Sequence, residues 1–366
     1  MPRHLFVPRW WERNVPDAGF GLATWELRDG PADPDAWVRA AYTDQPLITR
    51  VGSLHADHAA PDDRPTGLPT SSAIAPGVIV RMLRHARLTD DGDVLQVGAG
   101  TGYGAAVLCE RSGYRQVTTI EADEYLTKAA GERLAGIGLH PCVARGDPYG
   151  PLPGCFDRIA SMVAVRPVPA SWLAALHPGG RLVTPIAGTA LILTADKTPD
   201  GGAAGHTEWD RGAFMPADID ADALAIQPGL LATMREADGA DVTTGRYPVV
   251  NVARAWDLYS ALGIIAPDIQ HGFAESADGR RTAWMVHADG SWARATGAGD
   301  DTPTVHQGGP RRLWDLLEGI RLDWLRDGSL PVHGADVTIT PDGTICLQHG
   351  HWQATLPASP NGPPPA

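Results

Sequence analysis

Cysteine is scarce in this sequence. The 366 residues hold four, Cys109, Cys142, Cys155 and Cys346, with no C-x-x-C pair and no regular spacing, which excludes a disulfide framework and points to a reducing, cytoplasmic setting. Basic charge is also short: 30 Lys and Arg stand against 43 Asp and Glu, a formal charge of −13. No Lys/Arg run compensates locally, so a phosphate backbone would be repelled and nucleic acid is not an expected partner. No apolar run approaches the ~18 residues of a membrane-spanning helix, so no membrane role is expected. The N-terminus has no charged segment followed by an apolar one, and no internal repeat is visible.

What is present is a chain with 43% hydrophobic residues, long enough for two cores at about 100–200 residues per domain. Gly (42) and Pro (32) make up roughly a fifth of it, well above the ~12% of ordinary proteins. Loops are expected at His55 to Pro69, Lys197 to Gly205 and Thr296 to Gly309, with a fraying tail from Ala358 to Ala366. Between them, short apolar runs (Asp93 to Val97, Gln116 to Ile120, Pro141 to Ala144, Asp157 to Met162, Arg181 to Ile186) read as buried strands. Helical patterns fall at Pro76 to His85, Gly104 to Arg111 and Asp123 to Gly136. Strands alternating with helices predict an α/β fold with a doubly wound, mostly parallel sheet. After about Trp209 the rhythm changes to Trp-rich hairpins (Thr282 to Ala295, Val337 to Trp352) flanking an amphipathic helix, Gly309 to Arg326, which predicts a C-terminal α+β module. The expected division is 1–205, 206–357 and a tail 358–366.

The segment Val97-Gly98-Ala99-Gly100-Thr101-Gly102 places three glycines on alternate residues where a strand ends and a helix begins. Missing Cβ atoms allow a tight turn and close approach of a ligand, and the helix start presents free N–H groups. Glu121, 19 residues beyond Gly102, falls at the tip of the second strand, where a carboxylate can accept hydrogen bonds from both ribose hydroxyls. The loop alone suits a dinucleotide or S-adenosylmethionine equally. The remaining signals are Gly146-Asp147 after the third strand, where Asp147 can meet an adenine amino group, Asp157 opening the fourth, and His177-Pro178-Gly179-Gly180-Arg181-Leu182 opening the fifth. In this order they resemble class I, Rossmann-like methyltransferases that use S-adenosylmethionine.

The resemblance narrows with Pro2-Arg3-His4-Leu5-Phe6-Val7-Pro8, Ala41-Tyr42-Thr43-Asp44-Gln45-Pro46-Leu47, Thr70-Ser71-Ser72 before Pro76, and Phe156-Asp157-Arg158-Ile159. Together these are similar to the protein-L-isoaspartate O-methyltransferase family over about residues 1–190. It implies methyl transfer from S-adenosylmethionine to an aspartyl or isoaspartyl carboxylate of a peptide or protein, the ester then collapsing to a succinimide. Where the family carries an active-site serine ahead of its helix, this chain has Ile74. The family usually has a helical arm before the first block; this sequence begins within that block, so either its start is short or the arm is absent. Some 150 residues follow the family's minimal length. Longer relatives of this kind accompany ATP-grasp or lanthipeptide pathways and methylate one aspartate of a ribosomally made peptide, giving an aspartimide. Peptide tailoring is therefore the first expectation, isoaspartate repair the alternative, and a non-catalytic binding protein a third.

A carboxylate is already ionised at pH 7, so in-line transfer needs alignment rather than a general base. Ser71 and Ser72 are candidates to hold the acceptor carboxylate, or for one of them to cap the helix at Pro76. Arg166, just past the fourth strand, is the candidate counter-ion. No metal site is expected, although His55-x-x-His58 and His349-x-His351 have spacings a metal can use. Trp10 and Trp11 are placed either over the cofactor or in packing. The cluster Trp284, Trp292, Trp314, Trp324 and Trp352 is read as core of the second module.

Overall fold

The computed structural model describes residues 1–14, 24–217, 234 and 237–358; most of the C-terminal tail expected to fray lies outside them. The first 73 residues build a small antiparallel sheet from β1 (Arg9–Asn14), β2 (Thr24–Asp29), β3 (Leu47–Val51), β4 (Leu54–His55) and β5 (Pro69–Ala73), in the order β2-β1-β3-β4 with β5 paired to β3. Helix α1 (Pro34–Ala41) lies between β2 and β3 and is capped by the Asp33 carboxylate, which accepts from Ala36 N. Trp10 and Trp11 are both buried on β1. Alternation sends Trp11 to Trp25, Val51 and Ala56, and Trp10 toward Ala105 and Leu134 of the neighbouring layer. Both therefore pack rather than cover a ligand.

Helix α2 (Pro76–Ala86) leads into the parallel sheet: β6 (Val94–Val97), α3 (Tyr103–Ser112), β7 (Val117–Glu121), α4 (Glu124–Gly136), β8 (Cys142–Arg145), β9 (Phe156–Ser161), α5 (Ala170–Ala175) and β10 (Leu176–Pro185). The strand order β8-β7-β6-β9-β10 is parallel throughout, as the alternating pattern predicts. All four residues of β6 are buried. By contrast β8 is half exposed, because it is the edge strand and not a buried one. Strand order reverses between β7 and β9 on either side of β6, which puts a ligand crevice at their carboxyl ends.

The sheet then continues antiparallel through β11 (Leu191–Lys197) and β12 (Ala203–Arg211). The chain leaves to form a second antiparallel sheet, β13 (Asp241–Thr244), β14 (Gln270–Glu275), β15 (Arg280–Val286), β16 (Trp292–Ala298) and β17 (Thr304–Gly308), ordered β13-β17-β16-β15-β14. Helices α6 (Trp256–Ile265) and α7 (Leu313–Asp327) accompany it. Finally β18 (Asp336–Ile339), β19 (Ile345–His349) and β20 (Trp352–Leu356) return and pair onto β12, making a ten-stranded sheet.

This corrects the expected division at residue 205, which falls inside β12. The Val337 to Trp352 hairpin belongs to the large sheet, and five antiparallel pairings extend the four parallel ones. One apolar cluster runs from Leu95, Ile159 and Trp172 through Leu262, Met285 and Trp314 to Val337 and Ile345. Gly263 of α6 shows how close the parts lie: a Cβ there would sit 2.1 Å from the Gly188 carbonyl oxygen in the β10–β11 turn. Of the tryptophans expected in the second module's core, Trp284, Trp292 and Trp314 are buried and Trp352 packs at the cluster's margin, while Trp324 is 38% exposed. Among the described residues no helix is long and apolar enough to cross a membrane.

Candidate functional site

Three positive-φ glycines carry the chain from β6 into α3: Gly98 (85°), Gly100 (52°) and Gly102 (92°). Each reason is different. A Cβ on Gly98 would meet Val163 Cγ1 at 2.8 Å, and one on Gly102 would press on the Ala130 backbone of α4 at 3.2 Å. At Gly100 the nearest atom is the Ser72 carbonyl oxygen at 3.8 Å, so there the left-handed backbone rather than crowding selects glycine. The loop is pinned from behind, since Gly98 N and Ala99 N both donate to the Ile120 carbonyl of β7. Gln96 Nε2 also donates to the Gly98 carbonyl. Thr101 is buried, with its hydroxyl oxygen 3.5 Å from Tyr103 N at the start of α3.

Glu121 ends β7 facing this loop. Its Oε2 accepts from Gly100 N at 2.9 Å and its Oε1 from Asp123 N at 3.2 Å. Burial pushes the Glu121 carboxyl above its ordinary value, opposed by those two amides. Beside it opens a small concavity, lined by Val97, Gly98, Ile120, Glu121, Gly146 and Val163, at the carboxyl edge where strand order reverses. Asp147 is exposed, and its Oδ1 accepts from Tyr149 N at 2.8 Å; its neighbours Gly146 and Pro148 reach the concavity. These residues fit a nucleoside carrying a vicinal diol. The carboxylate is held at one end of the cleft by fixed amides, the loop's glycines leave its backbone open, and apolar walls flank both.

The acceptor candidates separate. Thr70 Oγ1 donates to the Gly52 carbonyl, and Ser71 is buried, with its Oγ accepting from Thr49 Oγ1 at 3.0 Å. Ser72, the next residue on the strand and so on its other face, is half-buried, and among the described residues its hydroxyl has no hydrogen-bond partner. Its carbonyl abuts the glycine loop. Neither serine caps α2. The N-cap is Ala75, and the Asp44 carboxylate accepts from Gly77 N instead, from the Ala41–Leu47 block. Ile74 packs into the apolar cluster of α2.

Arg166 is corrected. Its guanidinium donates to the carbonyls of Gly263 (2.7 Å) and Ile264 (3.2 Å), which the last turn of α6 leaves without partners. It therefore ties the fourth strand's loop to a helix end, and its donors are spent on backbone rather than on a substrate carboxylate. Among the described residues no cluster of His, Cys, Asp and Glu is arranged to hold a metal. Asp57, between the two histidines of the His55 loop, instead accepts from Tyr125 OH (2.6 Å) and Arg133 (2.5 Å).

Arg3 escapes sequence reasoning altogether. It is fully buried, and its guanidinium donates to five carbonyls, those of Ala41, Thr43, Gln45, Ala73 and Ile74, at 2.8–3.2 Å. Burial lowers its pKa. The same side chain lies over the Tyr103 ring at 5.8 Å, directly after the glycine loop. The signal available was the co-occurrence of the 2–8 and 41–47 blocks; Arg3 is the physical reason they go together.

A family model described as protein-L-isoaspartate(D-aspartate) O-methyltransferase matches residues 34–217, half of the chain. The chain belongs to that family. The match begins at α1, includes the glycine loop and Glu121, and ends just after β12. S-adenosylmethionine is the family's cofactor and fits the site just described. The protein-L-isoaspartate O-methyltransferase 1 of Nitrosospira multiformis is 37% identical over 137 residues, 36% of this chain and 57% of that protein. The corresponding enzyme of Ignicoccus hospitalis is 34% identical over 152 residues, 39% of this chain and 72% of its own. A solved protein-L-isoaspartate O-methyltransferase aligns over 97% of this chain and 91% of its own at 16% identity, with a TM-score of 0.45. For the Nitrosospira protein and two further curated relatives, the chain spans 57–59% of their length.

Proposed function

We propose that this chain is an S-adenosylmethionine-dependent carboxyl O-methyltransferase acting on an aspartyl or isoaspartyl side chain of a peptide. The observation that carries the reading is Glu121, fixed by the Gly100 and Asp123 amides beside a glycine-rich loop at the sheet's switch point. When bound, S-adenosylmethionine supplies an activated methyl group on its sulfonium. The protein's part is to hold a carboxylate oxygen in line with that methyl and to exclude water, a proximity effect that needs no general base. With Ile74 partly buried against the α2 cluster and Arg166 committed to α6, the Ser72 hydroxyl takes the donor role to the acceptor carboxylate.

The finer reading is that the acceptor is one aspartate of a dedicated, ribosomally made peptide, with the ester closing to an aspartimide. It is supported by β13–β20, α6 and α7, which lie beyond the family match yet share its core. The four cysteines are free, which suits a cytoplasmic enzyme. The test is to incubate the protein and S-adenosylmethionine with an isoaspartyl peptide and with candidate precursor peptides holding ordinary aspartate. Mass spectrometry then follows the gain of a methyl group and the later loss of methanol. Transfer to aspartate in a precursor supports tailoring, transfer to isoaspartate alone supports repair, and transfer to neither overturns the proposal.

A further inference from the structure

The antiparallel sheet β13–β17 has two unlike faces. Ala283, Met285, Ala293, Ala295 and Val305 point into the shared core. The alternate residues of the same strands line a second, open concavity, its described lining residues all on β15, β16 and β17. Strand register arranges them in rows. Thr282, Thr296 and Thr304 stand side by side across the three strands, and Trp284, Arg294 and His306 form the next row. The Thr282 and Thr296 hydroxyls lie 3.3 Å apart. Arg280, exposed, opens β15 at the rim.

We propose that this face binds an acidic, extended segment of the peptide that carries the acceptor residue. The inference rests on the carboxyl methyltransferase reading above. Charge is the first argument. In a chain of net charge −13, the described residues that line the concavity are two arginines, a histidine, three threonines and a tryptophan. Among the described residues the Arg280 guanidinium forms no ion pair, although the Asp278 carboxylate, which accepts from Arg280 N, feels its charge, whereas its neighbour Arg281 is paired with Glu275. Its fork of donors therefore remains available to a carboxylate. Geometry is the second. Arg294 is braced by the carbonyls of Met234 (3.0 Å) and Ala237 (3.1 Å), so its guanidinium is held in place beside the threonine row. The row of hydroxyls across three strands offers hydrogen-bonding partners to a bound peptide, and Trp284 closes the floor at 9% exposure. A nucleic acid is disfavoured by the overall negative field.

The test measures binding without turnover. A short fluorescein-labelled peptide with a Glu/Asp run, and its Gln/Asn counterpart, are titrated with the full-length protein at low salt by anisotropy. The acidic peptide is expected to bind at least about tenfold tighter, and the preference to fall as salt rises. Arg280→Glu is expected to remove that preference, and Arg280→Gln most of it, while S-adenosylhomocysteine affinity stays unchanged and reports an intact fold. Equal binding of the two peptides, or an acidic preference that survives Arg280→Glu, overturns the proposal. Binding through Arg280 in a protein that methylates no carboxylate keeps this face and overturns the function proposed above. Methylation of an isoaspartyl peptide without any acidic preference does the reverse.

Discussion

The two ends of the chain attach to the parallel sheet with different balances of polar and apolar contact. The N-terminal sheet packs Phe6, Trp10 and Leu47 against Ala105 and Leu134 and is clamped in addition by polar groups. Arg3 gathers five carbonyls, Arg50 pairs with Asp123 at 2.5 Å, and Asp57 receives Tyr125 and Arg133 of α4. The C-terminal residues are fused on instead. β18–β20 extend the sheet hydrogen bond by hydrogen bond from β12, while α6 and α7 bury Leu258, Leu262, Trp314 and Leu317 in the common cluster. A polar clamp is directional and sets the position of the Ser72 strand against the glycine loop. An apolar fusion sets stability but not position. The first is therefore the part that tunes the site, and the second the part the fold cannot lose.

The sharpest way to break this contrast is to cut the chain after Gly205. That removes Leu258, Leu262, Trp314, Leu317, Val337, Ile345 and Leu347 from the core, a loss of roughly 10–20 kcal/mol at about 1.5–3 per buried side chain. Since this matches or exceeds the ~5–15 kcal/mol of a whole domain, the fragment is expected to be unfolded or aggregated, as circular dichroism and size-exclusion chromatography would report. A soluble, cofactor-binding fragment would show that the two parts are separable after all.

At the other end, Arg3→Ala leaves five carbonyls without their donor and is expected to cost about 3–5 kcal/mol in denaturant unfolding. Arg3→Lys recovers little of it, because one ammonium cannot span the fork. A milder change isolates the clamp's charge. His55 lies buried against Tyr125, ring centroids 5.0 Å apart, and burial lowers its pKa from 6.5 to about 4. Because the folded state prefers the neutral ring, stability is full above pH 6.5 and is lost as pH falls toward 4, by up to about 1.4 kcal/mol per pH unit for this one proton. Hydrogen exchange in β3–β5 should rise in that window before exchange in β18–β20. Simultaneous loosening of both would erase the distinction.

The parallel half of the fold was legible because each of its elements announces itself locally: four buried residues in β6, alternate glycines, and Asp123 capping α4. The candidate site residues Gly98 to Gly102 and Glu121, which the structure brings together in one loop and cleft, were legible for the same reason. What stayed hidden is long-range. A hairpin such as Val337 to Trp352 has the same pattern whether it joins its neighbours or a strand 130 residues earlier, and only the partner β12 decides. Arg166 sits at the right sheet edge, but its environment is set by the carbonyls of Gly263 and Ile264, nearly 100 residues away. Of three adjacent hydroxyls, Thr70, Ser71 and Ser72, sequence could not say which two the sheet consumes.

The central claim is that Glu121, held by the glycine loop, receives the cofactor's ribose. Calorimetric titration of S-adenosylhomocysteine into the wild type and into Glu121→Ala tests it most directly. Losing charge-assisted hydrogen bonds worth about 1.5–3 kcal/mol is expected to weaken binding ~10–150-fold, with the fold unchanged by circular dichroism. A dissociation constant within about twofold of the wild type would contradict the assignment and place the ribose elsewhere.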